Sequence, residues 1–161
     1  MAWPGPQNPI YTRQEISSLK TELTAIATAI SNYEPVTLLV HSGDLSEAET
    51  ALQSDCGTYG VQIETTDTAD LEFWMRDVAP VFVFSDRSSH SGFYGIDFNF
   101  NGWGGRYPST GNAHFARQFL ASRGIPRIQT PLVLEGGALE TDGEGTLLLT
   151  ESSVINPNRN P

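Results

Sequence analysis

The residues of this chain best suited to chemistry are acids set beside glycine and tryptophan. Leu134-Glu135-Gly136-Gly137 places a carboxylate next to two glycines between apolar runs. Beyond a turn or strand-end bulge, that arrangement has one main use: it brings an acid close to a ligand that the backbone must also approach. Trp74-Met75-Arg76-Asp77 stands just before another apolar run. It reads either as a core Trp with an Arg–Asp pair at a strand entrance, or as an aromatic wall with a carboxylate for a planar cation. A guanidinium offers a flat face that stacks on a ring and a fork of donors that a carboxylate meets in bidentate fashion. Asn101-Gly102-Trp103-Gly104-Gly105 is either a structural loop around a packed Trp or a loop that closes over a ligand.

Other candidates carry less. Asp142-Gly143-Glu144-Gly145 lacks the alternating acids and terminal Glu of a calcium loop and reads as a hairpin turn. His41, His90 and His114 show no metal-ligand spacing, so neither a metal nor any other cofactor is expected. Cys56 is the single cysteine, which rules out an internal disulfide framework, and it reads as an incidental thiol at a helix end.

The elements that must position these residues can be placed by periodicity. Thr12 and Glu15 fit a capping box, and Ile16, Leu19, Leu23, Ile26, Ala27 and Ile30 recur at helical steps, predicting an amphipathic helix over about 13–32. Residues before it are Pro/Gly-rich and read as irregular. Val36–Val40 is a short apolar run suited to a buried strand. A second helix starts at Asp44 and closes at Cys56-Gly57, and a strand follows around Val61 and Ile63. Pro80–Phe84 and Phe93–Phe98 read as a hairpin joined by a polar turn over Ser85–Ser91. The glycines and proline of 101–108 exclude a regular element there. A helix is expected over Asn112–Ser122, then strands at Arg127–Thr130, Leu132–Leu134, Gly137–Glu140 and Thr146–Thr150. Units of about 50 residues (36–85 and 91–140) recur, which points to an α/β or α+β fold of ββα-type units rather than a doubly wound sheet.

Composition sets limits. The 161 residues suit one domain. Nine basic against nineteen acidic residues give a net charge of -10, with no Lys/Arg cluster, which argues against nucleic-acid binding. No apolar run reaches the ~20 residues of a membrane span. The opening MAWPGPQNPI does not read as a secretory signal, so the cytoplasm is the expected location.

The ordered motifs AWP, WMRD-x-x-P, FNGWGG-x-YP and LEGG-x-x-x-x-DGEGTLL-TE-x-x-x-x-NPNRNP together resemble the agmatine deiminase family, related to the bacterial peptidylarginine deiminases. The resemblance implies a pentein fold, ββαβ-type modules around a pseudo-fivefold axis, of which residues 1–161 would be a single incomplete domain of N-terminal modules. It implies hydrolysis of a guanidine C–N bond, agmatine plus water giving N-carbamoylputrescine plus ammonia, on the way to putrescine. A cysteine thiolate would attack the guanidinium carbon, with a histidine as acid and base. The alternatives are a protein-arginine deiminase or a fragment that binds guanidino compounds without turnover.

Carried over by motif, Asp77 would grip the guanidinium nitrogens with Trp74 lining the pocket. Glu135 would be a second carboxylate at the reacting centre, and Trp103 would border the channel. Arg76 would hold its motif in shape by pairing with acids, and Gly136 and Gly137 would support the site. Val78-Ala79 departs from the family's Thr-Gly, which would shift the strand entrance. The family's histidine and cysteine both lie beyond the NPNRNP motif, so no catalytic residue is expected within this chain, and it is expected to be inactive alone. The implied partner is a small guanidino molecule, and unburied module faces would favour a homo-oligomer.

Overall fold

In the computed structural model, which describes residues 1–52, 57–86 and 92–161, helix α1 (Arg13–Ile30) begins where the sequence supplies a start signal. It opens on the Thr12/Glu15 capping box, with both reciprocal bonds made. Leu23 and Ala27 are its buried residues, while Ile26, at the edge of the apolar stripe, is 49% exposed instead of facing the core. Strand β1 (Val36–His41) is buried along most of its length, as a continuous apolar run requires. A single 3-10 turn at Ser42–Asp44 leads into α2 (Leu45–Leu52), and β2 (Val61–Thr66) returns to pair in parallel with β1 in the register Val36↔Val61. Cys56, His90 and residues 87–91 of the expected hairpin turn lie outside the described residues.

The chain folds as two compact units, Met1–Met75 and Arg76–Pro161. The division falls inside the WMRD motif, and not at the ends of the 50-residue spans suggested by the sequence. The strand expected at Pro80–Phe84 takes its partner from later in the chain and shares no sheet with β1 and β2, so a 36–85 unit does not form. The first unit has a core of Trp3, Leu38, Val40, Ala48 and Leu52. Trp3 comes from the segment expected to be irregular. Met1–Trp3 instead runs along β1, with the Trp3 amide donating to the Leu39 carbonyl at 2.8 Å and the Leu39 amide donating to the Met1 carbonyl at 3.0 Å. The exposed edge of a two-stranded sheet is thereby covered.

In the second unit, β3 (Val81–Ser85) and β4 (Gly92–Asp97) form the expected antiparallel hairpin, and β5 (Arg127–Gln129) joins β4 in parallel. Before β3 comes the one-turn helix α3 (Met75–Val78), closed by the buried Val78. After β4 comes the short turn α4 (Gly102–Gly105), whose backbone at Trp103 and Gly104 is not that of a right-handed helix. A parallel neighbour needs a crossover, and α5 (Asn112–Ser122) supplies it. Phe115, Ala116 and Leu120 are its buried apolar face, and Leu120 lies directly over the bare backbone of Gly95.

Two expected strands are absent as ladders. Leu132–Leu134 has no strand partner, and Gly136–Ala138 is a 3-10 turn leading into the short β6 (Glu140–Thr141). β7 (Leu147–Leu148) pairs antiparallel with β6 across the Asp142-Gly143 turn, and α6 (Glu151–Val154) follows.

Candidate functional site

Asp77 sits in α3, half-buried, and its two carboxylate oxygens are held by two different segments of the second unit. The Trp103 indole Nε1 donates to Oδ2 at 3.0 Å. The Gly137 amide donates to Oδ1 at 2.9 Å. Both donors are neutral. An ionised carboxylate has about four lone-pair sites, so these two bonds orient the group and leave capacity for a further donor.

The glycines of LEGG explain the second contact. A Cβ on Gly137 would strike Asp77 Oδ1, and one on Gly136 would strike the Arg76 carbonyl oxygen. Neither has a positive φ, so the requirement is close approach and not backbone conformation. The backbone does come near something at this motif, as its composition suggests, but that partner is the Asp77 carboxylate.

Trp103 is held by an unusual turn. Gly102, Trp103, Gly104 and Gly105 all have positive φ, 74°, 58°, 77° and 76°. For the tryptophan this is the left-handed region, which costs a residue with a Cβ roughly 1–2 kcal/mol. Asn101 accepts from the Gly104 amide at 2.8 Å and closes the turn. The indole meets Phe100 edge-on at 4.9 Å and Tyr107 edge-on at 6.0 Å. The loop is therefore both a packing site for its Trp and the source of a donor to Asp77.

Glu135 is 5% exposed, and its carboxylate is engaged by Arg159. Nε of Arg159 lies 3.0 and 3.1 Å from the two carboxylate oxygens, and Nη2 lies 2.9 Å from Oε1. Glu135, which the resemblance implies as a second carboxylate at the reacting centre, is thus already engaged by an arginine that local sequence does not single out. Its neighbours in NPNRNP act on the same segments. The Asn160 side chain accepts from the Val133 amide at 3.0 Å and donates to the Val133 carbonyl at 2.8 Å. Asn160 thus satisfies both backbone groups of Val133, while Asn99 donates to the Leu132 carbonyl and the Leu134 amide donates to the Phe98 carbonyl, so Leu132–Leu134 needs no ladder. The Asn158 carbonyl accepts from the Asn101 side chain at 2.9 Å, and a Cβ on Gly104 would lie 2.6 Å from Asn158 Nδ2 and 3.0 Å from Arg159 Nη1.

Arg76 holds its motif through a carbonyl instead of an acid, Nη2 donating to Leu139 O at 3.1 Å. A small cleft beside Asp77 is bounded by Asp97, Phe100, Asn112 and Leu134, with room for about one water molecule. No group of His, Cys, Asp and Glu suited to a metal occurs among the described residues.

Trp74 belongs to the first unit, half-exposed, with its Nε1 donating to the Tyr11 hydroxyl at 3.1 Å and its ring 4.9 Å from Phe73. Nearby in the chain, Glu72 is 1% exposed, accepting from the Phe73 amide at 2.9 Å and from Asn8 at 3.1 Å. Burial pushes the Glu72 carboxyl above its ordinary value, against the hydrogen bonds that lower it. With its one N–H occupied, Trp74 has only its π-face to offer a ligand.

This mixed architecture is that of solved guanidine deiminases. The structure is similar to an agmatine deiminase of Enterococcus faecalis, with a TM-score of 0.81 and 27% identity over 100% of this chain and 42% of that one. The chain belongs to the Porphyromonas-type peptidyl-arginine deiminase family, whose model matches residues 1–161. It is 36% identical to the agmatine deiminase of Ectopseudomonas mendocina and 35% identical to that of Pseudomonas aeruginosa, each over the whole of this chain and 42% of the relative. It therefore spans less than half the length of the curated relatives it matches.

Proposed function

We infer that residues 1–161 form N-terminal modules of one deiminase domain and carry the guanidinium-holding part of a hydrolase acting on agmatine. One observation carries this reading. Three carboxylates of the second unit are withdrawn from full exposure: Asp97 pairs with Arg127 at 2.9 Å, Glu135 pairs with Arg159, and Asp77 meets no Lys or Arg among the described residues. A half-buried acid costs free energy unless something offsets its desolvation. Two neutral N–H groups do part of that and leave the negative charge for an incoming cation.

A guanidinium suits the remaining lone pairs, since its parallel N–H groups match a carboxylate. The chemistry supported is C–N hydrolysis, agmatine plus water giving N-carbamoylputrescine plus ammonia. Asp77 would hold the guanidinium nitrogens and so fix the carbon for attack. A carboxylate that grips the substrate does not itself cleave it, so the 161-residue chain is expected to bind without turnover. The cytoplasm is the proposed location; no helix of the described residues is long and apolar enough to cross a membrane.

Calorimetric titration of agmatine into the chain and into Asp77→Asn tests this. Heat that disappears with the charge supports the reading, and heat that survives it sinks the assignment. Ammonia release at the rate of a full-length relative would overturn the expectation of binding alone. The family's name also raises peptidyl-arginine, and the same titration with an N-acetyl-arginine amide separates the two ligands.

A further inference from the structure

We propose that Arg159 is a positioning residue for Asp77, acting through Glu135 and the Gly104 turn; this rests on the guanidinium reading above. Both donors to Asp77 belong to segments on which Arg159 converges. Glu135 stands immediately before the 3-10 turn Gly136–Ala138, whose Gly137 amide holds Oδ1. The three close contacts from Arg159 to the Glu135 carboxylate fix where that turn begins. On the other side, the Arg159 guanidinium packs against Gly104, beside the Trp103 whose indole holds Oδ2. A planar fork on a rotamer-rich stem is suited to locking two backbone segments at a fixed separation, which a lysine ammonium is not.

The charge arithmetic supports the same role. A bare arginine close to a guanidinium-binding acid would compete with the substrate. Arg159 is instead matched one-to-one with Glu135, the side chains being 16% and 7% exposed, so the pair adds rigidity without adding net charge. Glu135 then serves to hold Arg159 and the turn, and Asp77 is the acid left for the ligand.

The test watches the two N–H groups that report on Asp77. In ¹H–¹⁵N spectra of the chain, the Trp103 indole resonance is assigned with Trp103→Phe and the Gly137 amide with Gly137→Ala. In Arg159→Met both resonances are expected to leave their wild-type positions, and agmatine affinity to fall about tenfold, within the range for residues sharing one ion-pair network. Glu135→Gln should do the same, and the double variant should be no weaker than the worse single one. Arg159→Lys, which keeps the charge and loses the fork, should shift both resonances part of the way. It decides the matter if Arg159→Met does not fold.

Resonances that stay in place in a folded variant overturn the proposal, as do losses that simply add. A wild-type chain that binds no agmatine while its resonances still move on substitution would sink the guanidinium reading and leave Arg159 as the residue that sets Asp77.

Discussion

The indole of Trp103 donates to Asp77 across 26 residues of sequence, and it does so from a backbone conformation that tryptophan rarely adopts. The left-handed turn is maintained because the N–H···carboxylate bond and the edge-on packing of Phe100 and Tyr107 offset its cost. Trp103→Phe retains an aromatic ring and deletes the donor. It is expected to cost about 1.5 kcal/mol, the lower end for a hydrogen bond to a charged group, since Asp77 is only half-buried. Urea denaturation measures this, and an unchanged midpoint would show that the bond contributes nothing net.

The two glycines of LEGG should respond differently to alanine. At Gly136 the added methyl meets the Arg76 carbonyl, main chain that cannot swing away, so Gly136→Ala should cost about 1–3 kcal/mol of stability. At Gly137 it meets a side-chain oxygen, which can rotate. Gly137→Ala should therefore lose agmatine affinity by a larger factor than it loses stability. Equal losses at the two sites in paired melts and titrations would contradict this.

Glu72 gives a pH signature. Its carboxyl is raised in the folded protein, first by burial and in smaller part by Asp70, so the native state holds this proton more tightly than the unfolded chain does. Its contribution to stability is full below the ordinary glutamate value and is lost as pH rises through the raised value. Glu15 and Asp142 are lowered by hydrogen bonds from Thr12 and Thr146 and act in the opposite sense, their contribution being lost as pH falls. The difference between wild type and Glu72→Gln isolates the Glu72 part. That difference should shift in favour of the variant from acid towards neutral pH, as read from melts at a series of pH values. A difference independent of pH would refute the burial argument.

Asn160→Leu should destabilise the second unit by about 1–3 kcal/mol, because it strands both the amide and the carbonyl of Val133. Hydrogen exchange at Val133 reports it directly. Protection there equal to wild type would mean another partner holds the segment.

Much of this is legible in the sequence, for identifiable reasons. Asn112–Ser122 and Arg13–Ile30 are readable because burial of one face imposes a period on consecutive residues, and Thr12 and Glu15 mark the start of α1. Asp77 and Trp103 are readable as candidates because acid, Trp and Gly occur together in compact motifs. Their mutual bond is not, since nothing local encodes a partner 26 positions away. Arg159 escapes for a related reason. It stands in a short polar segment without periodicity, and its value comes from a carboxylate 24 residues earlier. The strand expected at Leu132–Leu134 does not form because apolar runs predict burial, while most of the segment's backbone hydrogen bonds go to Asn99 and Asn160 side chains and the Leu134 amide donates to Phe98.

The spacing of these contacts also sets a timetable. Gly137 trails Asp77 by 60 residues, and Arg159 trails Glu135 by 24. At about 5–20 residues per second of synthesis, a nascent Asp77 waits about 3–12 s for its second donor. Trp103 reaches it well before then. The order of assembly is thereby written into the order of translation: indole first, glycine amide next, arginine last.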